Sequence, residues 1–361
     1  MKLPFNLFKR KPKYAAKPVS KINQLNQAIT FDDVLLEPQY SEVETRKNVD
    51  ISTSLLGFKL LNPLISANMD TVTEANMAIA MNNLGGIGIL HRYQDIQAIV
   101  DQAKLIKQNG GIVIASIGVG SEAVNLGSWL IANKTADGLC IDIAHGDSKL
   151  MIETITAIKK DFPTAKIIAG NVATYEGGKR LLEAGADALK VGIGPGAVCT
   201  TRRVTGHGVP QITAIAEVAE LKKDFKFDLI ADGGIRDSGD IAKALAFGAD
   251  TVMIGSLFAT TTEAPGTIMQ GQKIYRGMAS REARSDFDPE LPTDYTPEGV
   301  AIMKPMTGPV SLVVNNLNGG LKSALSYSGS NNLTEFRQKV RFMLITGASH
   351  IEGTPHGMST K

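Results

Sequence analysis

The chain has 361 residues, 43% of them apolar and 20% charged, with a formal net charge of +2 at pH 7. These proportions exclude a disordered or fibrous chain, and the near-neutral balance gives no general reason to expect nucleic acid as a partner. No run approaches the apolar length that spans a membrane, and two cysteines, Cys140 and Cys199, permit at most one bridge, so a soluble protein in a reducing cytoplasm is expected.

The first segment, residues 1–29, is basic: Lys2, Lys9, Arg10, Lys11, Lys13, Lys17 and Lys21 are interleaved with Phe5, Leu7, Phe8 and prolines. It reads as a loosely ordered, solvated arm, with contact to a membrane surface or an anionic partner as the alternative. From residue 30 onward, short apolar, β-branched runs alternate with amphipathic stretches of helical length. The runs are Pro63–Ala67, Gly86–Leu90, Ile112–Ile117, Gly138–Ile143, Ala165–Ala169, Ala188–Val191, Leu229–Ala231 and Thr251–Ile254. Between them Asp147–Lys160, Tyr175–Ala184 and Ser238–Phe247 read as helices, several with a capping residue in front. Eight such units predict a single closed (β/α)8 barrel over residues 30–361. An internal echo agrees: the segment 182–192 recurs in outline as 245–255, each a helix end, a Gly-Ala-Asp step, a strand and a glycine. The polar stretch Gly271–Gly308 breaks the alternation. Its centre, about residues 279–297, is expected to be a mobile flap, since its charges and its Asp288-Pro289 and Leu291-Pro292 steps disfavour a packed helix or strand.

Four groups of residues follow predicted strand ends, where barrel active sites are built. In Gly192-Ile193-Gly194-Pro195-Gly196-Ala197-Val198-Cys199-Thr200-Thr201-Arg202 the glycines let backbone approach a ligand, and Cys199 is either a nucleophile beside hydroxyls and arginines or a packed core residue. Cys140, inside an apolar run, reads as core. Asp232-Gly233-Gly234 and Gly255-Ser256 follow the seventh and eighth strands, where barrels often bind phosphate; each could equally be a plain turn. Asp142 and Asn171 end the fourth and fifth strands; the aspartate can hold ribose hydroxyls or cap the next helix. No Rossmann glycine fingerprint and no zinc-ligand spacing is present.

The Cys199 loop, together with Phe31-Asp32-Asp33-Val34-Leu35-Leu36, Asn68-Met69-Asp70-Thr71-Val72-Thr73-Glu74, Ala231-Asp232-Gly233-Gly234-Ile235 and Tyr275-Arg276-Gly277-Met278, closely resembles the IMP dehydrogenase/GMP reductase family from about Thr30 to His356. The resemblance implies a (β/α)8 barrel without membrane or nucleic-acid partners, usually a homotetramer, acting on IMP or GMP through a covalent thioimidate at the purine C2. It makes Cys199, Thr201 and Glu298 the catalytic set. Asp232 would hold the ribose and Gly234, Gly255, Ser256 and Tyr275 the phosphate, with Gly233 and Gly277 in the same loops and Met278 and Glu298 at the base. Asp142, Asn171 and the backbone of Gly192, Ile193 and Gly194 would face NAD, or NADP in a reductase. It further implies a potassium ion on carbonyls of Gly194, Gly196 and Cys199 and, from a neighbouring subunit, Glu352, Gly353 and Thr354.

Which of the two activities is implied depends on where one looks. Thr71-Val72-Thr73-Glu74, the end Ile345-Thr346-Gly347-Ala348 with Pro355-His356, and Val119 resemble the dehydrogenases, and the expected reaction is oxidation of IMP to XMP. The flap resembles a reductase, because it is short and lacks an adjacent Arg-Tyr pair; Arg284 and Tyr295 are both there but separated. Ala197 stands where many dehydrogenases carry a phosphate-touching serine, a loss of roughly 1 kcal/mol. The regulatory domains of most dehydrogenases, which would follow His91-Arg92-Tyr93, are missing. GMP reduction to IMP, and a catalytically poor nucleotide-binding barrel, are the alternatives.

Overall fold

The computed structural model describes residues 26–287, 290–292 and 294–353. Most of the arm expected over residues 1–29, the Asp288-Pro289 step and Thr354 lie outside the described residues. Eight strands alternate with helices: β1 (Leu64–Ser66), β2 (Ile87–Leu90), β3 (Ile114–Ile117), β4 (Gly138–Asp142), β5 (Ile167–Val172), β6 (Ala188–Val191), β7 (Asp228–Asp232) and β8 (Thr251–Ile254). Each pairs in parallel with its chain neighbours, and β8 pairs with β1, so the sheet closes. Parallel strands covered on both faces read as continuous apolar runs, and β2, β3, β6 and β8 are buried at every position.

The outer helices are α1 (Ala75–Asn83), α2 (Ile96–Gln108), α3 (Ser121–Ala132), α4 (Lys149–Asp161), α5 (Tyr175–Glu183), α6 (Gln211–Ala219), α7 (Ser238–Ala246) and α8 (Val310–Tyr327). Asp95, Ser148, Thr174 and Asp237 cap α2, α4, α5 and α7 by accepting from backbone amides within the first turn, which satisfies donors that a helix start leaves unpaired. Between β2 and β3 the chain holds α2 alone. A hairpin of Thr53–Leu55 and Phe58–Leu60 lies at the N-terminal end of the barrel, where the Leu56 amide donates to Asp228 Oδ2 at 2.6 Å and Thr53 Oγ1 to the Asp250 carbonyl at 3.1 Å. Val34–Glu37 pairs antiparallel with Arg341–Leu344. No helix among the described residues is long and apolar enough to cross a membrane.

The stretch Gly271–Gly308 corrects the expectation of an unstructured lid. Gln272–Arg276 and Ala301–Pro305 form antiparallel strands, with Tyr275 opposite Ile302, and Ile268–Met269 adds a third. Inside the expected flap, Arg281–Phe287 is a seven-residue helix. Ser280 Oγ accepts from the Ala283 amide at 3.2 Å, Ala283 is buried, and Phe287 packs on Tyr93 at 5.0 Å between ring centroids. In sequence both proline steps come after Phe287, so their restriction on the preceding residue does not fall within this helix.

Candidate active site at the barrel mouth

A cavity of about 690 Å³ opens at the C-terminal ends of the strands, a size usual for small-molecule sites. Cys199, Thr201 and Glu298 line it, as do Asp232, Gly233, Gly234, Gly255, Ser256, Tyr275, Gly277 and Met278. Asp142, Asn171, Gly192, Ile193, Gly194 and Gly196 complete the wall on the β4–β6 side.

At the floor of this wall stands Lys190, 3% exposed and central in β6. Its Nζ lies 2.7 Å from Asp142 Oδ1 and 2.8 Å from Asp232 Oδ2, and it also donates to Asn171 Oδ1. Burial alone would favour the neutral amine, but the two carboxylates outweigh it and hold the ammonium above the ordinary lysine value. Asn171 Nδ2 bridges Asp232 Oδ2 at 2.9 Å and the Gly192 carbonyl at 2.7 Å. Asp142 is therefore an ion-pair partner at the mouth and not a helix cap; Ser148 caps α4. The same lysine positions both carboxylates, each of which keeps oxygen lone pairs toward the cavity. Gly192 is required where it stands: its φ is +149°, and a Cβ there would sit 2.1 Å from the Asp232 carbonyl.

Opposite this cluster are the loops after β7 and β8. Gly233 and Gly234 take φ of +93° and +83°. The amides of Gly234, Ile235, Ser256 and Leu257 donate to no protein acceptor among the described residues, an arrangement suited to an anion. Tyr275, 4% exposed, points its hydroxyl at Gly255, where a Cβ would lie 2.7 Å from Oη. Burial, then the carboxylate of Asp232, pushes the Tyr275 phenol above its ordinary range, so it stays a neutral donor. Lys304, from the strand Ala301–Pro305, donates to Ser256 Oγ at 2.7 Å and to the Ser256 carbonyl at 3.1 Å.

The Cys199 loop is tied to the base of the flap. Cys199 and Gly299 form an antiparallel bridge, the Thr200 amide donates to the Glu298 carbonyl at 2.9 Å, and the Val300 amide to the Val198 carbonyl at 3.0 Å. The Cys199 thiol is half-buried, 3.1 Å from Thr201 Oγ1. Arg202 does not serve the thiol: its guanidinium donates to the Val209 carbonyl at 2.6 Å. Above the loop, Arg276 bonds Asp70 at 2.6 Å and the flap's Asp286 at 2.7 Å, while Tyr295 Oη donates to the Ala279 carbonyl at 2.8 Å. The other cysteine, Cys140, is fully buried, and that burial pushes its thiol up to about 12; it is core.

Of the positions expected to meet a cation, Gly194, Gly196 and Cys199 share one loop, where the Gly196 carbonyl accepts the Cys199 amide at 3.1 Å. Glu352 and Gly353 do not line the cavity; they end the helix Gly347–Glu352, which packs near Asp32 through His350 at 3.7 Å. Sequence reasoning missed Lys190, Lys304 and Gln211. A lysine inside the apolar run Ala188–Val191 was a usable signal, since the echoed strand has Met253 at that place. Gln211, 1% exposed, donates to the carbonyls of Val191 and Asp232 at 2.9 and 3.1 Å, and its Oε1 has no partner among the described residues.

Residues 28–356 match the family model described as the IMP dehydrogenase / GMP reductase domain. The chain is 34% identical to the inosine-5′-monophosphate dehydrogenase of Aquifex aeolicus, over 92% of this chain and 96% of that one. That alignment runs over 472 residues, more than the 361 of this chain, so the relative carries segments that this chain lacks. It is 31% identical to the GMP reductase of Leishmania donovani, over 93% and 98%. Among solved structures, a GMP reductase variant from Trypanosoma brucei in complex with guanosine 5′-monophosphate superposes with a TM-score of 0.86 at 30% identity, covering 94% of this chain and 100% of that one.

Proposed function

Because the chain belongs to the IMP dehydrogenase/GMP reductase family of oxidoreductases, we propose that it oxidises IMP to XMP with NAD, through a covalent adduct of Cys199 at the purine C2. The observation that carries this reading is the placement of the Cys199 thiol, 3.1 Å from Thr201 Oγ1, in one cavity with the free amides after β7 and β8 and with the carboxylate of Asp232. The amides of Gly234 and Ser256, with the Tyr275 hydroxyl, take the 5′-phosphate. Asp232 takes the ribose hydroxyls, and Met278 and Glu298 flank the base. The Cys199 sulfur then bonds C2 and hydride leaves C2. Water adds at the same carbon, the C–S bond breaks, and XMP departs with the thiol restored.

A bound nicotinamide nucleotide supplies the hydride acceptor. The residues present fit it: the orphaned Oε1 of Gln211 is buried against the Gly192 backbone, and Asp142, Asn171 and the Gly192–Gly194 backbone line the same wall. Carbonyls of Gly194, Gly196 and Cys199 are donors suited to potassium, with Glu352, Gly353 and Thr354 of a neighbouring subunit completing the set in a cytoplasmic homotetramer. The same reading assigns one barrel domain over residues 30–361 with a basic arm before it, a flap at about 279–297 and no inserted regulatory domain.

The flap supports a second reading, GMP reduction by NADPH to IMP and ammonia, since it lacks an adjacent Arg-Tyr pair. Against this, Arg284 lies over the Tyr295 ring at 6.0 Å, so the two side-chain types meet in space. Purified protein incubated with IMP and NAD⁺, and separately with GMP and NADPH, distinguishes the readings by nicotinamide absorbance. A rise in the first mixture supports the dehydrogenase; loss of absorbance in the second alone overturns it in favour of the reductase; silence in both leaves a nucleotide-binding barrel.

A further inference from the structure

Lys304 is a cation that the mechanism above does not use. It stands on the strand Ala301–Pro305, opposite Lys273 in the antiparallel register. The two lysines are employed differently. Lys273 is 2% exposed and its ammonium satisfies the carbonyls of Thr261 and Ala264, a structural use. Lys304 lines the cavity and donates to Ser256 Oγ and the Ser256 carbonyl at 2.7 and 3.1 Å. No carboxylate lies within ion-pair distance of it among the described residues.

Two consequences follow from the chemistry of these groups. An ammonium has three donors, and two are used on Ser256, which leaves one for a ligand. A serine hydroxyl that accepts from an ammonium keeps its own proton free to donate to a ligand, and the amides of Ser256 and Leu257 are also free. Burial pulls the Lys304 ammonium below the ordinary lysine value, with no acidic neighbour to oppose it, so an arriving anion relieves an unpaired charge.

We propose that Lys304 recognises the 5′-phosphate of the substrate nucleotide, directly and through the Ser256 hydroxyl, and selects phosphorylated ligands over nucleosides. The proposal rests on the reading of the cavity as a purine mononucleotide site. It also accounts for how the loop tolerates Ala197, where a serine would have offered the phosphate one neutral hydrogen bond.

The test is calorimetric titration of the full chain with IMP, GMP, inosine and inorganic phosphate at several salt concentrations. For Lys304→Gln, affinity for IMP and for phosphate falls about tenfold or more, as expected for loss of a charge-assisted hydrogen bond, while affinity for inosine holds. The dependence of IMP binding on salt becomes shallower, and Lys304→Arg restores most of the loss. Equal weakening of IMP and inosine would mark Lys304 as merely structural and overturn the proposal, as would unchanged IMP binding. If the wild-type protein binds neither IMP nor GMP, the nucleotide reading itself falls and the role of Lys304 with it; wild-type binding with an unaltered Lys304→Gln variant removes Lys304 alone.

Discussion

At the N-terminal end of the barrel, Asp137, Asp187 and Asp250 each stand directly before a strand and do the same work. Asp137 accepts from the Val113 amide and pairs with Lys107, Asp187 accepts from the Ile167 amide and pairs with Lys159, and Asp250 accepts from the Leu229 amide and pairs with Lys222. Each carboxylate thus ties the start of one strand to its neighbour and to the helix outside. At the C-terminal end, Asp142 and Asp232 close the same kind of strand, yet both turn to a single buried lysine, Lys190. One end divides its charges among local partners and uses them up; the other gathers two carboxylates on one ammonium and leaves acceptor capacity facing a cavity. Stability and ligand chemistry are thereby separated by the length of a strand, as barrel enzymes generally arrange them.

The sharpest test of that separation is Cys199→Ala. Removing the only thiol in the cavity should lower turnover about ten-thousandfold or more, leave IMP binding intact and leave the melting temperature unchanged, since the thiol is half-buried and its contact is a weak one to Thr201. Near-normal turnover, or no protein–nucleotide adduct by mass spectrometry after quenching, would remove covalent catalysis from the account.

A paired substitution compares the two ends directly. Asp232→Asn still leaves the buried Lys190 one carboxylate, Asp142, so folding stability should fall by only about 1 kcal/mol while kcat/KM falls about 10–100-fold through loss of the proposed ribose contact. Asp250→Asn does the reverse. It strips Lys222 of its partner and weakens Arg337, whose guanidinium lies 3.4 Å from Asp250 Oδ1, and should cost about 2–3 kcal/mol of stability by denaturant unfolding with kcat/KM preserved. Comparable activity losses in both variants would show that the ends are not independent.

The two ends also differed in how much the sequence revealed. All eight strands were readable because burial on both faces makes them continuous apolar runs bounded by glycine and aspartate, and Gly185 and Gly248 end the helices of the echoed units at φ of +110° and +114°. The mouth was readable as loops but not as partnerships: that Asp142 binds Lys190 depends on three strands converging, which no local pattern records. The strands flanking the flap were missed for a specific reason. In Gln272–Arg276 the buried positions are Lys273 and Tyr275 while Ile274 is exposed, and Ile302 and Met303 are exposed in the facing strand, so the usual apolar-inward alternation is broken. The strand Arg341–Leu344 is exposed throughout and was equally silent. Lys304 lies on the second of the strands flanking the flap, where no local pattern marks it.

A smaller effect is expected at the flap, which belongs to the mouth yet is fastened by ordinary surface pairs. Asp286→Asn removes the ion pair from Arg276 to the flap helix, at 2.7 Å, but leaves Arg276 bound to Asp70 and Phe287 against Tyr93. The aspartate is 57% exposed, so the loosening is modest. KM should rise about two- to threefold with thermal stability unchanged, and hydrogen exchange in Arg281–Phe287 should quicken. Unchanged exchange there would mean that Asp286 does not fasten the helix.

The smallest effect concerns Asp32, which lies at the rim and belongs to neither class cleanly: it lines the cavity, but its carboxylate is used by Arg236 and lies 3.7 Å from His350. The hydrogen bonds from Arg236 lower the Asp32 carboxyl below its ordinary value of 3.8, overcoming the opposing effect of burial, and the charge of Arg236 adds to the lowering. A carboxyl whose folded pKa is depressed contributes stability that is fully present above the unfolded value and is lost as pH falls through the folded one. Melting temperature should therefore be flat above about pH 5 and decline as the medium is taken below about pH 4. Asp32→Asn should flatten part of that decline while slightly lowering the plateau. Because the carboxylate is about one-third exposed, water and salt screen the pair, and the difference between the two acid profiles should shrink further at high ionic strength. If the profiles coincide at low salt, the Asp32–Arg236 pair holds only the geometry of the rim, and the N-terminal segment is fastened by the Lys243 ammonium on the Phe31 carbonyl at 2.9 Å, by the buried Phe31 and Val34, and by the pairing of Val34–Glu37 with Arg341–Leu344.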